Sequence, residues 1–193
     1  MARLIYLIGA SGCGKDSLLD ALRTSDTGNA LIAHRYITRP ASSGDENHIA
    51  LSEREFWFRR RHGLFCLAWQ AHQLHYGVGI EVDVWLAKNI DVVVNGSRAY
   101  LPEASKRYGA RLFPICLTVP QNILKQRLRK RGRENDQQIE ERLRRTENYQ
   151  SAVPADCPRL PNTDALEQTA AAFWRLINNR AANASPAGGA SYE

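Results

Sequence analysis

Apolar residues along this chain come in short bursts separated by longer amphipathic stretches. The bursts at residues 4–8, 30–33, 91–94 and 112–119 are rich in Leu, Ile and Val, the composition of strands buried on both faces. Between them lie stretches of ten or more residues with helical spacing; after the first burst, Leu18, Leu19 and Leu22 share one helical face. This alternation predicts an α/β fold, a mostly parallel sheet flanked by helices, with ligands at the carboxyl ends of the strands.

The middle of the chain is punctuated differently. Ser52-Glu53-Arg54-Glu55 is a capping box opening a helix over residues 56–62, which Gly63 stops. Phe56, Trp57 and Phe58 are expected to pack this region. Residues 73–79, with Tyr76, Gly77 and Gly79, read as a loop leading into a helix at 81–88. Gly132 divides a basic segment into two helices. The stretch 164–180 carries Leu166, Ala170, Phe173, Trp174 and Ile177 at core-packing spacing. The tail at 181–193, rich in Ala, Gly and Ser, is expected to be disordered.

A length of 193 residues suits a single domain, here taken as 1–180. The net charge of +6 raises nucleic acid and polyphosphate as partners. The basic run holds Lys125, Arg127, Arg129, Lys130, Arg131, Arg133, Arg142, Arg144 and Arg145, with no aromatic residue interleaved. That argues against nucleic acid, which is gripped by stacking as well as charge. Two readings remain: a solvated face paired by Glu140, Glu141 and Glu147, or a flap closing over a triphosphate, with Arg127 and Arg131 on one face. The four cysteines show neither a C-x-x-C pair nor zinc-ligand spacing, as expected of reduced thiols. The N-terminus lacks a signal-peptide layout, and no apolar run approaches the ~18 residues of a membrane helix. A cytoplasmic protein with no membrane partner is expected.

The first burst runs directly into Gly9-Ala10-Ser11-Gly12-Cys13-Gly14-Lys15, the pattern G-x-x-x-x-G-K of a phosphate-binding loop between a strand and a helix. Its backbone N–H groups and the helix dipole suit the phosphates of a nucleotide such as ATP, and Lys15 can reach the β and γ oxygens. The usual Ser or Thr after the lysine, a Mg²⁺ ligand, is replaced by Asp16, with Ser17 next. Asp16 and Ser17 are therefore candidates for the metal shell, directly or through water, and capping of the helix is the alternative for Asp16. The third burst, at 91–94, ends in Asn95-Gly96-Ser97-Arg98, which reads as a strand end facing a ligand or as an ordinary Asn-Gly turn.

With these residues laid out, the chain resembles the guanylate kinase-like group of P-loop phosphotransferases. The likeness rests on the GASGCGK loop, Thr38-Arg39-Pro40, Tyr76-Gly77 before a helix, and RLRKRGRENDQQIEERL at 127–143. It implies a nucleoside-monophosphate-kinase-like fold with a small acceptor-binding insert at about 35–90 and an arginine lid at about 127–145. The features that would read guanine are absent. The second arginine and Gly-Glu expected after Thr-Arg-x-Pro give way to Ala41-Ser42-Ser43-Gly44-Asp45-Glu46, and the base-accepting carboxylate is replaced near Leu67. Losing partners for a polar base costs orders of magnitude in discrimination.

A closer likeness, in GKDS, AHRYITR, ENHIALSE, YGVG, VNGSR and RGREN, is to the ribose 1,5-bisphosphate phosphokinase family. It implies ATP-dependent conversion of ribose 1,5-bisphosphate to 5-phosphoribosyl 1-diphosphate (PRPP) with Mg²⁺, within phosphonate metabolism. By that resemblance Arg39 and Tyr76 contact the acceptor phosphate, with Arg98 a further candidate, and Asn95 and Ser97 hold ribose hydroxyls. Lys15, Arg39 and the lid arginines Arg127, Arg131 and Arg142 carry the transition-state charge. The alternatives are a nucleoside monophosphate kinase of altered specificity and a non-catalytic binding module of the same fold. The oligomeric state is left open by the sequence.

Overall fold

The computed structural model describes residues 1–25, 30–42, 46–132, 134–151, 153–163 and 165–183. The chain runs β1 (Leu4–Gly9), α1 (Lys15–Thr24), β2 (Ala30–Ile32), β3 (Arg35–Ile37), β4 (Ile49–Ala50), α2 (Glu53–Arg61), β5 (Phe65–Ala71), β6 (Leu74–Gly79) and α3 (Glu81–Ala87). It continues as β7 (Asp91–Asn95), α4 (Leu101–Tyr108), β8 (Leu112–Thr118), α5 (Gln121–Arg131), α6 (Asp136–Ser151), β9 (Arg159–Pro161) and α7 (Leu166–Asn183).

The four apolar bursts form four strands of a five-stranded sheet in the order β2-β7-β1-β8-β9, with every neighbouring pair parallel. Side chains of a strand alternate between faces, and both faces of this sheet are covered. Ile5, Leu7, Val93, Ile115 and Leu117 pack with Leu18, Leu22 and Phe173 of α1 and α7. Leu4, Tyr6, Ile8, Val92 and Val94 pack toward Val82, Leu86 and the second sheet. The strands therefore read as continuous apolar runs. The carboxyl ends of β1 and β7 lie side by side, Leu7 in register with Asn95, so the phosphate loop and the Asn95 turn open on the same edge.

The second sheet, β4-β3-β6-β5, makes up the middle segment and combines parallel and antiparallel pairs. Here the structure departs from the periodicity. Residues 74–79 form β6, hairpinned to β5, where a loop is expected. The turn places His72 and Gln73 at φ of 50° and 61°, both left-handed, as a two-residue hairpin turn of the primed kind requires. Neither residue is the Gly or Asn that advertises such a turn, so the sequence carries no hairpin signal. Ser52 caps α2 as expected, its Oγ accepting from the Glu55 N–H at 3.1 Å. Of the aromatic trio only Phe56 is buried, its ring stacked on Phe65 at 4.9 Å; Trp57 and Phe58 are 40% and 53% exposed.

Gly132, at φ 63°, ends α5 and separates it from α6. Strand β9 has only three residues, too short for periodicity to register. Helix α7 continues to Asn183, past the expected end of the domain, and residues 184–193 of the expected tail lie outside the described residues. No helix among the described residues is long and apolar enough to cross a membrane.

Candidate active site

The phosphate loop links β1 to α1 without a spare residue. Gly14 is the N-cap of α1 at φ +95°, and a Cβ there would come within 2.5 Å of Asn162 Nδ2. Only glycine meets both demands. Asn162, buried, donates from Nδ2 to the Cys13 carbonyl at 2.7 Å, and its Oδ1 accepts from the buried Thr169 hydroxyl at 3.2 Å. The Lys15 ammonium donates to the carbonyls of Gly9 at 2.7 Å and Ala10 at 3.3 Å. The Gly9 N–H donates to the Tyr149 hydroxyl of α6 at 3.0 Å, and Arg142 Nη2 donates to Ser11 Oγ at 2.6 Å. Two residues of α6 thus touch the loop. Arg142 is also ion-paired with Glu134.

Asp16 lies in the first turn of α1, two places past the N-cap, where its charge complements the helix dipole. Its Oδ1 accepts from Asn95 Nδ2 at 3.0 Å, across the gap between β1 and β7. Burial and the nearby Glu46 carboxylate push the Asp16 carboxyl above its ordinary value, with Lys15, Arg35 and Arg39 pulling the other way. Beyond Asn95 the chain turns tightly at Gly96, where a Cβ would come within 2.4 Å of the Tyr6 ring. The Tyr6 hydroxyl accepts from the Ser97 N–H at 3.0 Å and donates to the Ser97 carbonyl at 3.1 Å, fixing the turn. The Arg98 guanidinium turns away to α6, stacking 4.3 Å from the Tyr149 ring centroid and donating to the Tyr149 carbonyl at 3.0 Å.

The opposite wall comes from the second sheet. Glu46 is paired with Arg35 through two bonds of 2.6 Å, and with Arg39 Nη2 at 3.3 Å. Burial raises the Glu46 carboxyl, but the hydrogen bonds and charge of Arg35, with Arg39 behind it, more than offset that and hold it below its ordinary value. His48 Nε2 lies 3.1 Å from the Arg39 carbonyl, and its Nδ1 lies 2.9 Å from the Glu46 carbonyl and 3.2 Å from Arg39 Nη2. Tyr76 stacks flat on Trp69, with centroids 5.6 Å apart, and Trp69 in turn stacks on Tyr100.

These walls enclose a cavity of about 800 Å³. Of the sequence-derived candidates, Gly9, Ala10, Ser11, Gly12, Gly14, Lys15, Asp16, Ser17, Arg39, Tyr76, Asn95, Ser97, Arg98 and Arg142 all line it. Cys13 is buried behind the loop. Arg127 is not on the cavity wall: its Nη2 donates to the Asn162 carbonyl at 3.0 Å, behind the phosphate loop. The side chain of Arg131 lies outside the described part of the structure. The cavity also takes in Arg145 of the basic run, and Arg35, Glu46, Trp69 and Tyr149, which the sequence did not single out. Of these four, Arg35 alone carried a signal, as a second arginine in the same AHRYITR segment as Arg39.

Among the described residues no group of three or more His, Cys, Asp or Glu stands ready to cage a metal. Asp16, with one oxygen on Asn95, is a single carboxylate beside the phosphate loop. That donor set suits a Mg²⁺ held mainly by phosphates and water, and does not suit a stand-alone protein site.

No family model matches the chain. It is 59% identical over 177 residues to the ribose 1,5-bisphosphate phosphokinase PhnN of Dickeya zeae, covering 92% of this chain and 94% of that one. The proteins of the same name from Yersinia pestis and Chromobacterium violaceum are 56% and 46% identical, over 92% and 90% of this chain and 92% of each of theirs. The chain belongs to the ribose 1,5-bisphosphate phosphokinase family. Among solved structures, guanylate kinase from Anaplasma phagocytophilum superposes with a TM-score of 0.65 at 16% identity, over 93% of this chain and 86% of that one. A sugar kinase from a Janibacter species gives 0.52 at 16% identity, over 96% and 100%. These two likenesses show the fold, an α/β P-loop kinase architecture. The protein is a kinase of that family.

Proposed function

We propose that the protein transfers the γ-phosphoryl group of ATP to the 1-phosphate of ribose 1,5-bisphosphate, giving ADP and PRPP. The bond between the β,γ-bridging oxygen and the γ phosphorus breaks, and a 1-phosphate oxygen forms the new P–O bond. The observation that carries this reading is the cavity itself, which sets the phosphate loop opposite Arg35 and Arg39, with the Glu46 carboxylate between them engaged by both arginines.

A phosphate acceptor, with a second pKa near 6, is mostly dianionic at neutral pH and needs no general base. The task for the protein is alignment of two polyanions and neutralisation of their charge. Lys15 and the loop amides take the donor phosphates. Arg39 and Tyr76 take the acceptor phosphate, and Asn95 and Ser97 its ribose hydroxyls. Arg142, already on the loop at Ser11, and Arg131 of the lid act on the transferring group, with Arg127 supporting the loop through Asn162. When bound, Mg²⁺ neutralises phosphate charge beside Asp16 and Ser17. An ATP-fuelled reaction and four reduced cysteines agree with a cytoplasmic location.

An ADP-release assay with ribose 1,5-bisphosphate, GMP and AMP side by side tests the proposal. Turnover at least about 100-fold faster with the sugar bisphosphate is expected, the margin a site built for one set of polar groups gives. Preference for either nucleotide would overturn it.

A further inference from the structure

Arg39 is followed by Pro40, and no further arginine stands between Pro40 and Glu46. An acceptor with two phosphates nonetheless asks for two cationic centres. The geometry points to Arg35, on β3, as the second one, with Glu46 as the residue that positions it; this rests on the sugar-bisphosphate reading above.

Arg35 lies on the cavity wall together with Arg39, Glu46, Tyr76 and Asn95. Its guanidinium sits over the Tyr76 ring, 5.1 Å from the centroid, while Nε and Nη2 each reach a Glu46 oxygen at 2.6 Å. The fork is therefore held on two sides, and a guanidinium so fixed loses little freedom when it meets phosphate oxygens. Arg39 is drawn to the same carboxylate at 3.3 Å. One Glu thus sets two arginines side by side.

A purely structural ion pair would balance its charges and satisfy its polar atoms. This cluster does neither. Among the described residues, the charges that act on Asp16 are three cations, Lys15, Arg35 and Arg39, and one carboxylate, Glu46. Arg39 Nε and Asn95 Oδ1 are both buried without a hydrogen-bond partner among the described residues. Orphan groups of that kind are costly and uncommon in folded proteins. One lacks an acceptor and the other lacks a donor. A ligand bearing a phosphate oxygen and a hydroxyl answers both, and a phosphorylated sugar carries the two within one ring's reach.

The test uses Arg35→Met, Glu46→Gln and the double variant, each measured for KM of ribose 1,5-bisphosphate, KM of ATP and thermal melting. Arg35→Met is expected to raise the acceptor KM by about tenfold or more and leave the ATP KM within about twofold, a loss confined to one substrate. Glu46→Gln, which keeps an acceptor oxygen for both arginines, should raise the acceptor KM less. The double variant removes the buried pair together, so its melting temperature should recover towards wild type while its acceptor KM stays as high as that of Arg35→Met. If the acceptor KM recovers along with melting, Arg35 only neutralises Glu46 and the inference is overturned. An unchanged acceptor KM in Arg35→Met overturns it too. A wild-type protein inert towards ribose 1,5-bisphosphate would instead overturn the reading of the reaction.

Discussion

Lys15 and Asp16 are neighbours in sequence with opposite surroundings. The Lys15 ammonium is cradled by two carbonyls of its own loop, a short swing from where phosphate oxygens would lie. Lys15→Ala should lower kcat by about 100-fold or more, the scale of losing a charge aimed at the transition state, with melting unchanged. Asp16 accepts from Asn95 through Oδ1, across the gap between β1 and β7. A Mg²⁺ titration of Asp16→Ala should shift to higher metal concentration, and a superimposable curve would confine Asp16 to holding Asn95. Glu46 yields a prediction about pH. Its folded-state pKa is depressed, so it contributes stability above the ordinary glutamate value of 4.5, and that stability is lost as pH falls through the lower folded value. Glu46→Ala strands Arg35 and should cost about 3 kcal/mol at neutral pH. Denaturant melts of wild type and variant should converge as pH drops below that range.

Elements whose sequence carries a local signal were legible, and those fixed by tertiary contact were not. Ser52 and Gly132 mark helix ends through their own chemistry, and both do so in the structure. The apolar bursts are long enough to be strands in any context. The β5–β6 hairpin was hidden because His72 and Gln73 adopt left-handed backbone without a glycine, held by the pairing of Trp69 with Tyr76 and its neighbours. The same division runs through the site. The phosphate loop is a local motif, whereas Tyr149 gains its role only because α6 folds back over Gly9. Tyr149→Phe leaves the Gly9 N–H without its partner, a loss of about 1–3 kcal/mol for a buried donor. Lower melting temperature and a raised KM for ATP, with the acceptor KM held, are the expected readouts.

Across the whole molecule, Asn162 joins pieces that are far apart in the chain. It bonds the phosphate loop at Cys13, β8 at Thr118, α5 through Arg127 and α7 through Thr169. No property of the sequence around Pro161-Asn162-Thr163 announces this, since each partner is supplied by another element. Asn162→Ala should destabilise the fold by about 2 kcal/mol and loosen nucleotide binding together, read by denaturant unfolding and by the KM for ATP. The sheet order also sets a timetable for synthesis. Strand β1 leaves the ribosome first, yet its partners β7 and β8 begin at Asp91 and Leu112. At ~5–20 residues per second the segment LIYLIG waits several seconds with both edges open. A nascent chain halted before Leu112 has one flank of its phosphate-loop strand bare, and quality control by chaperones is most needed over that interval.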